Sequence, residues 1–141
     1  MTKLIIGIDP DLIKSGVAVL GQSSFRVCNM TFFELIQFFE VNKSEIKKVV
    51  IEAGWLNKKS NFHNHPKQST RTGERIAKNV GENHATGKLL AEIAKENGLN
   101  VMLVKPTSKK KDAEEFKRIT GWQGRTNAEQ RDAGMLIFGM M

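Results

Sequence analysis

The feature that most constrains the fold is an apolar run, residues 4–8, that ends on an acid, Asp9. Such a run is typical of a strand buried on both faces, and Pro10 ends it because proline has no N–H to give to a ladder. A second apolar run, residues 16–20, predicts an antiparallel return strand. A carboxylate on a buried strand loses its hydration, which is costly unless a cation, a donor or a proton compensates. We therefore expect Asp9 to have a partner, for which a divalent metal ion is one candidate.

The rest of the chain alternates strand-like and helix-like segments. Thr31 and Glu34 have the spacing of a capping box, and Gly98 closes a long helical pattern. Inside that pattern, Gly81 and Gly87 indicate either close packing or tolerated surface positions. The later elements are predicted as a strand at 24–28, a helix at 31–40, a strand at 47–52, a helix at 71–97, a strand at 101–104 and helices at 111–120 and 126–139. This order predicts an α/β fold with a mixed five-stranded sheet, three antiparallel strands followed by parallel crossovers, flanked by helices.

The length and charge of the chain limit its class. With 141 residues, it is near the common size of one domain, so we expect residues 1–141 to form a single domain. Its formal net charge of +7 favours polyanionic partners, although some basic domains are merely soluble. Nucleic acid is therefore the leading class of partner.

Cysteine content and hydropathy indicate the compartment. Cys28 is the only cysteine, which excludes a disulfide within the chain and a cysteine-rich zinc site. No apolar run approaches the ~18 residues of a membrane span, and the first residues lack a signal-peptide pattern. We therefore expect an intracellular, cytoplasmic protein with no membrane partner.

Further acids stand where they can join Asp9. Glu52 lies at the carboxyl end of a predicted strand, and Glu129 and Asp132 are three residues apart in the last helix, so both project from one face. If that helix crosses the sheet near the ends of the first and fourth strands, the four carboxylates converge. Magnesium and manganese prefer carboxylate oxygens, and four such ligands would hold two ions.

Each acid also has an interpretation that needs no metal. Asp9 before a proline is a common turn former, and Glu52 can be an exposed acid at a strand end. Thr126 and Glu129 have the spacing of a capping box, which would give Glu129 a structural role. The metal interpretation therefore depends on the acids acting as a set.

Together, these motifs resemble RuvC-type Holliday junction resolvases, the crossover junction endodeoxyribonucleases of the RNase H-like superfamily. The matching segments are residues 6–10 and 15–19, residues 51–52, residues 80–81 with 87, residues 104–106 and residues 129–133. The resemblance implies metal ligands at Asp9, Glu52 and Asp132, with Glu129 in the fourth position. Two departures are Asp11, where the family usually has glycine, and Glu129 itself, where aspartate or histidine is more common.

What the resemblance implies is a metal-dependent endonuclease that resolves four-way DNA junctions in recombination and repair. It would act as a homodimer and use two Mg²⁺ or Mn²⁺ ions per active site. Two alternatives remain open. One is a nuclease of the same fold that acts on RNA–DNA hybrids or flaps, and the other is a non-catalytic DNA-binding module.

Basic residues fall in two clusters, which either contact phosphates or form an ordinary solvated surface. The candidate DNA-binding residues are Lys58, Lys59, Lys67, Arg71, Arg75, Lys105, Lys109, Lys110, Lys111 and Arg125. The histidines, including His84, are not expected to be metal ligands. Trp55 and Trp122, like Phe62, either stack on unpaired bases or pack at the rim of the core.

Overall fold

The computed structural model describes residues 3–57 and 70–141. The strands are β1 (Leu4–Asp9), β2 (Ser15–Leu20), β3 (Phe25–Met30), β4 (Ile46–Glu52) and β5 (Val101–Val104). The helices are α1 (Phe32–Asn42), α2 (Thr70–Glu96), α3 (Ala113–Thr120) and α4 (Ala128–Ile137). No helix of the described residues is long and apolar enough to cross a membrane.

The five strands form one mixed sheet in the order β3-β2-β1-β4-β5. β2 pairs antiparallel with both β1 and β3, whereas β4 pairs parallel with both β1 and β5. The parallel pairs require crossovers, which α1 and α2 supply. This topology confirms the predicted α/β fold class.

Helices cover both faces of the sheet. On one face, Leu35 of α1 and Leu90 of α2 pack on Ile6 and Ile8. On the other face, α3 and α4 pack on Ile5 and its neighbours in β2 and β4. The predicted burial of β1 on both sides is confirmed, and an uncompensated charge at the end of this strand is correspondingly costly.

Side-chain caps decide where the helices begin. The Thr31 capping box is present, with the Thr31 hydroxyl accepting from the amide of Glu34. α3 begins two residues later than predicted because Asp112 caps it by accepting from the amide of Glu115 at 2.8 Å. Gly121 ends α3 in the left-handed conformation, with φ of 78°. These local signals account for most of the observed helix boundaries.

The capping box proposed for Thr126 and Glu129 is wrong. α4 is capped instead by Asn127, whose side chain accepts from the amide of Gln130, and the Gln130 side chain accepts from the amide of Asn127. Asn127 is the better cap because an Asx side chain fits the N-cap geometry well, and the box spacing is met one residue further along. Glu129 is therefore not required to start the helix.

Two glycines let α4 lie directly on the sheet. A Cβ on Gly7 would stand 2.5 Å from the carbonyl oxygen of Ala133, and one on Gly16 would overlap the backbone carbonyl of Glu129. In α2, Gly87 packs under the ring of Trp55, whereas Gly81 faces open space. Gly87 is therefore a site of close packing, and Gly81 is a tolerated surface position.

Substitution of Gly16 by alanine should destabilise the protein by about 3 kcal/mol, because the new methyl group meets backbone that cannot rotate away. Gly81→Ala is the matched control, since it adds the same methyl group in a helix with no atom nearby. It should stabilise the protein by up to about 1 kcal/mol. Urea denaturation of both variants tests this. Equal urea midpoints for the two variants would show that the backbone of α4 does not contact Gly16 closely.

Candidate metal centre

Asp9 and Glu52 are brought together by the register of two neighbouring parallel strands. Ile8 of β1 pairs with Ile51 of β4, so the next residue of each strand is an acid at the same edge of the sheet. Side chains alternate along a strand, so Asp9 shares a face with Gly7, which lies under α4. Both acids therefore stand at the carboxyl ends of their strands, close to α4.

Asp132 completes the group from α4. One carboxylate oxygen from each of Asp9, Glu52 and Asp132 lies within 4.8 Å of the others. The side chains of Glu52 and Asp132 are only 13% and 19% exposed. We call these three residues the acidic triad. Their convergence follows from the close contact between α4 and the glycines of β1 and β2.

Glu129 lies outside the acidic triad. Its backbone packs over Gly16, the residue paired with Asp9 across β1 and β2. Its side chain lines a shallow recess with Asp11 and Lys14. The charge of Glu129 still reaches Asp9, although it is the weakest of the influences on that carboxyl group.

Asp11 has a local structural role in the turn after β1. Its carboxylate accepts from the amide of Ile13 at 2.9 Å, and its own amide donates to the hydroxyl of Ser15 at 3.0 Å. These bonds form an Asx-type turn. Asp11, which stands where the family usually has glycine, therefore shapes the turn and is not part of the acidic triad.

The triad is electrostatically unfavourable without a cation. Burial, followed by the charges of Glu52 and Asp132, raises the pKa of Asp9 to about 8. Burial also raises the pKa of Glu52, against the opposing effect of Lys110. Metal binding would remove this cost, because a divalent ion stabilises the charged form of each carboxylate.

Among the described residues, Lys110 is the basic residue whose side chain forms ion pairs with the triad. Its ammonium nitrogen lies 3.1 Å from Oδ2 of Asp132 and 3.6 Å from Oε1 of Glu52. Burial lowers the pKa of Lys110, but the charges of Glu52 and Asp132 more than offset this and raise it. The sequence predicted Lys110 only as a DNA-binding residue, because its contact with the acids depends on how a loop folds back over α4.

A basic loop between β5 and α3 borders the triad. Lys105, Lys109, Lys110 and Lys111 line a cavity of about 170 Å³ together with Glu52 and Asp132. The loop is tied to α4, since the Arg131 guanidinium donates to the carbonyl of Lys111 at 2.9 Å. Four of the predicted DNA-binding residues therefore lie beside the acids.

Of the other predicted DNA-binding residues, three lie in the described part of the chain, and they do not line this cavity. Arg71 and Arg75 are exposed near the start of α2, and Arg125 is exposed before α4. Lys58, Lys59 and Lys67 fall outside the described residues, as do Phe62, His63 and His65. The structure therefore describes seven of the ten predicted DNA-binding residues.

A second recess, of about 220 Å³, opens on the α2 side of the triad. Asp9 and Glu52 line it together with Trp55, Asn83 and His84. Burial and then the charge of Lys88 lower the pKa of His84, which favours its neutral form. Helical spacing could have identified Asn83 and His84 as residues near the acids. They follow Val80 by three and four residues, so they lie on the same face of α2 as that motif residue.

The two tryptophans both take part in packing. Trp55 lies against His84 with ring centroids 6.2 Å apart, and Trp122 meets Phe25 edge-on at 6.4 Å. Both are partly buried against the core. Packing at the rim of the core, one of the two interpretations of these residues, is therefore observed.

The residues present fit a hard divalent cation. All three donors are carboxylate oxygens, which are the ligands preferred by magnesium and manganese rather than by softer metals. The convergence of three acids, one of them with its pKa raised to about 8, is an arrangement that a cation would stabilise. The acidic triad could therefore bind a metal ion.

Comparisons with known proteins support the fold. No protein-family model matches the sequence, and no curated protein matches it significantly. The structure is similar to that of T. thermophilus RuvC in complex with Holliday junction substrate, with a TM-score of 0.55 and 14% identity over 95% of this chain and 89% of that one. It is less similar to YeaZ from Pseudomonas aeruginosa, with a TM-score of 0.41 and 13% identity over 84% and 52% of the two chains. The likeness to RuvC shows an RNase H-like fold.

Proposed function

We propose that this protein is a metal-dependent endonuclease that hydrolyses phosphodiester bonds in branched DNA, with the four-way junction as its substrate. The observation that carries the proposal is the acidic triad at the carboxyl edge of an RNase H-like sheet, beside a loop of four lysines. Acids hold the catalytic cations and lysines attract the phosphates.

Each group of residues has a separate task in this proposal. Asp9, Glu52 and Asp132 would hold a divalent ion, and Glu129, whose backbone packs beside Gly16, would be the ligand of a second. Two such ions would supply an activated water molecule and a charge that stabilises the departing 3′ oxygen. Lys105, as well as its neighbours in the basic loop, neutralises the phosphate that the acids would otherwise repel.

The choice of a junction over other nucleic acids is supported by the sequence motifs together with the fold. The RuvC structure to which this chain is similar was solved with a Holliday junction. Resolving a junction needs two nicks in opposed strands, so we propose that two copies of a single-domain chain act as a homodimer. Two sites related by a twofold axis would match the symmetry of the junction.

Cleavage of three labelled substrates tests this proposal. In Mg²⁺ we expect paired, symmetric nicks in a four-way junction and much slower cleavage of an RNA–DNA hybrid or a flap. Chelation of the metal should abolish all cleavage, because the acids alone provide no nucleophile. If the hybrid or the flap is cut faster than the junction, that nucleic acid is the substrate and the junction is not. Junction binding with no cleavage in Mg²⁺ or Mn²⁺ would instead support a non-catalytic module.

A further inference from the structure

Lys110 lies where a cation is needed by two of the three acids. Its ammonium nitrogen is 3.1 Å from Asp132 and 3.6 Å from Glu52, whereas the oxygens of the whole triad lie within 4.8 Å of one another. The ammonium group therefore contacts the carboxylates of two of the three residues that a divalent ion would use. In this state, one positive charge of the chain itself partly compensates the acids.

The backbone that carries Lys110 is held near α4, whereas its side chain is half exposed. The amide of Lys110 donates to the carbonyl of Ser108 at 3.1 Å, and the carbonyl of Lys111 accepts from Arg131. The side chain of Lys110 is 47% exposed. The ammonium group can thus leave the acids for solvent by rotating its own side chain, with no change in the loop.

A divalent ion and this ammonium group cannot occupy the same oxygens. Magnesium binds carboxylate oxygens at about 2.1 Å, so an ion held by Glu52 and Asp132 would stand beside the two carboxylates that Lys110 now contacts. The like charges of the two cations add repulsion at this short distance, where salt screens little. Binding of the ion therefore requires Lys110 to move.

We propose that Lys110 is a tethered cation that competes with the divalent metal for Glu52 and Asp132. Lys110 stabilises the metal-free protein and raises the metal concentration needed to fill the site. This inference rests on the proposed function, because it takes the acidic triad to be a metal site. In the metal-free protein Lys110 acts on the acids, and this role is separate from the phosphate contact proposed for the basic loop.

Calorimetric titration of Mn²⁺ into three proteins tests the competition: the natural chain, Lys110→Met and Lys109→Met. Methionine keeps the length of the side chain and removes its charge. Lys109 is the matched control because it lines the same cavity with no ion pair to the triad among the described residues. At about 0.15 M salt, we expect Lys110→Met to bind Mn²⁺ about fivefold more tightly and Lys109→Met to change by less than about twofold.

Thermal unfolding gives a second readout. Without metal, Lys110→Met should melt at a lower temperature than Lys109→Met, because the triad has lost its cation. Mn²⁺ should then raise its melting temperature by more than it raises that of the natural chain. Lys110→Arg, which keeps the charge, should bind Mn²⁺ no more tightly than the natural chain. If the methionine variant does not fold, Lys110→Gln replaces it in both measurements.

The outcomes separate this inference from the proposed function. If the natural chain binds Mn²⁺ and Lys110→Met binds it equally well or more weakly, the competition is overturned and the metal site remains. If neither protein binds Mn²⁺, both the competition and the proposed nuclease are overturned.

Discussion

Asp9→Asn should reduce Mg²⁺-dependent cleavage of a four-way junction at least about a thousandfold. Asp9 ends the central strand β1, which lies between β2 and β4, the strand that carries Glu52. An asparagine is a neutral and weaker ligand, so the ion would lose both affinity and position. A bound metal supplies several kcal/mol of transition-state stabilisation, which sets this magnitude. Single-turnover cleavage rates in Mg²⁺ measure the effect.

Asp11→Asn is the matched control for that loss. Asparagine can keep the bond that Asp11 accepts from the amide of Ile13, and Asp11 is not part of the acidic triad. Its cleavage rate should stay close to that of the natural chain. Both variants should bind the junction with affinities within about threefold of the natural chain, because phosphate contacts dominate binding. An active Asp9→Asn variant would contradict the assignment of Asp9 as a ligand.

Without metal, the protein should lose stability as the pH rises from about 4 to about 8. In the folded chain, chiefly burial raises the pKa of Asp9 from its usual value of 3.8 to about 8. Below the lower value, the carboxyl group is protonated in both states. Between the two values, only the unfolded chain releases the proton, so the folded state becomes progressively less favourable; above about 8 the penalty is constant. The raised pKa of Glu52 acts in the same direction.

Asp9→Asn should remove most of this dependence, because its side chain does not titrate. At pH 8 in a chelator, the variant should therefore be more stable than the natural chain, by at most about 6 kcal/mol. The substitution that abolishes cleavage is thus expected to stabilise the metal-free protein. Urea unfolding at several pH values measures the difference between the two chains. Parallel curves for both proteins would show that Asp9 ionises normally in the folded state.

Several parts of the fold were predictable because their signals are local. The apolar run before Asp9 indicated a strand buried on both faces, and helices cover both faces in the structure. The Thr31 capping box starts α1, and Gly98 follows α2 with a positive φ of 78°. The start of α4 was misplaced because two overlapping cap patterns compete there, and Asn127 is the better cap.

The residues that could form a site were predictable from local patterns. A strand end identified Asp9 and Glu52, and a helix face identified Asp132, since burial and helical spacing can be deduced from neighbouring residues. These patterns did not determine whether Glu129 joins them. That depends on the rotation of α4 over β2, and the three-residue spacing alone does not specify which of two acids faces the site.

Which of these groups meet depends on contacts between segments that are distant in the chain. The register of β1 against β4 places Asp9 beside Glu52, and the missing side chains of Gly7 and Gly16 let α4 bring Asp132 to them. Lys110 reaches these acids, and His84 lines the recess beside them, through a loop and a helix far away in the chain. Such contacts depend on strand register and on how closely layers pack. Both are set by the whole core and not by any one segment.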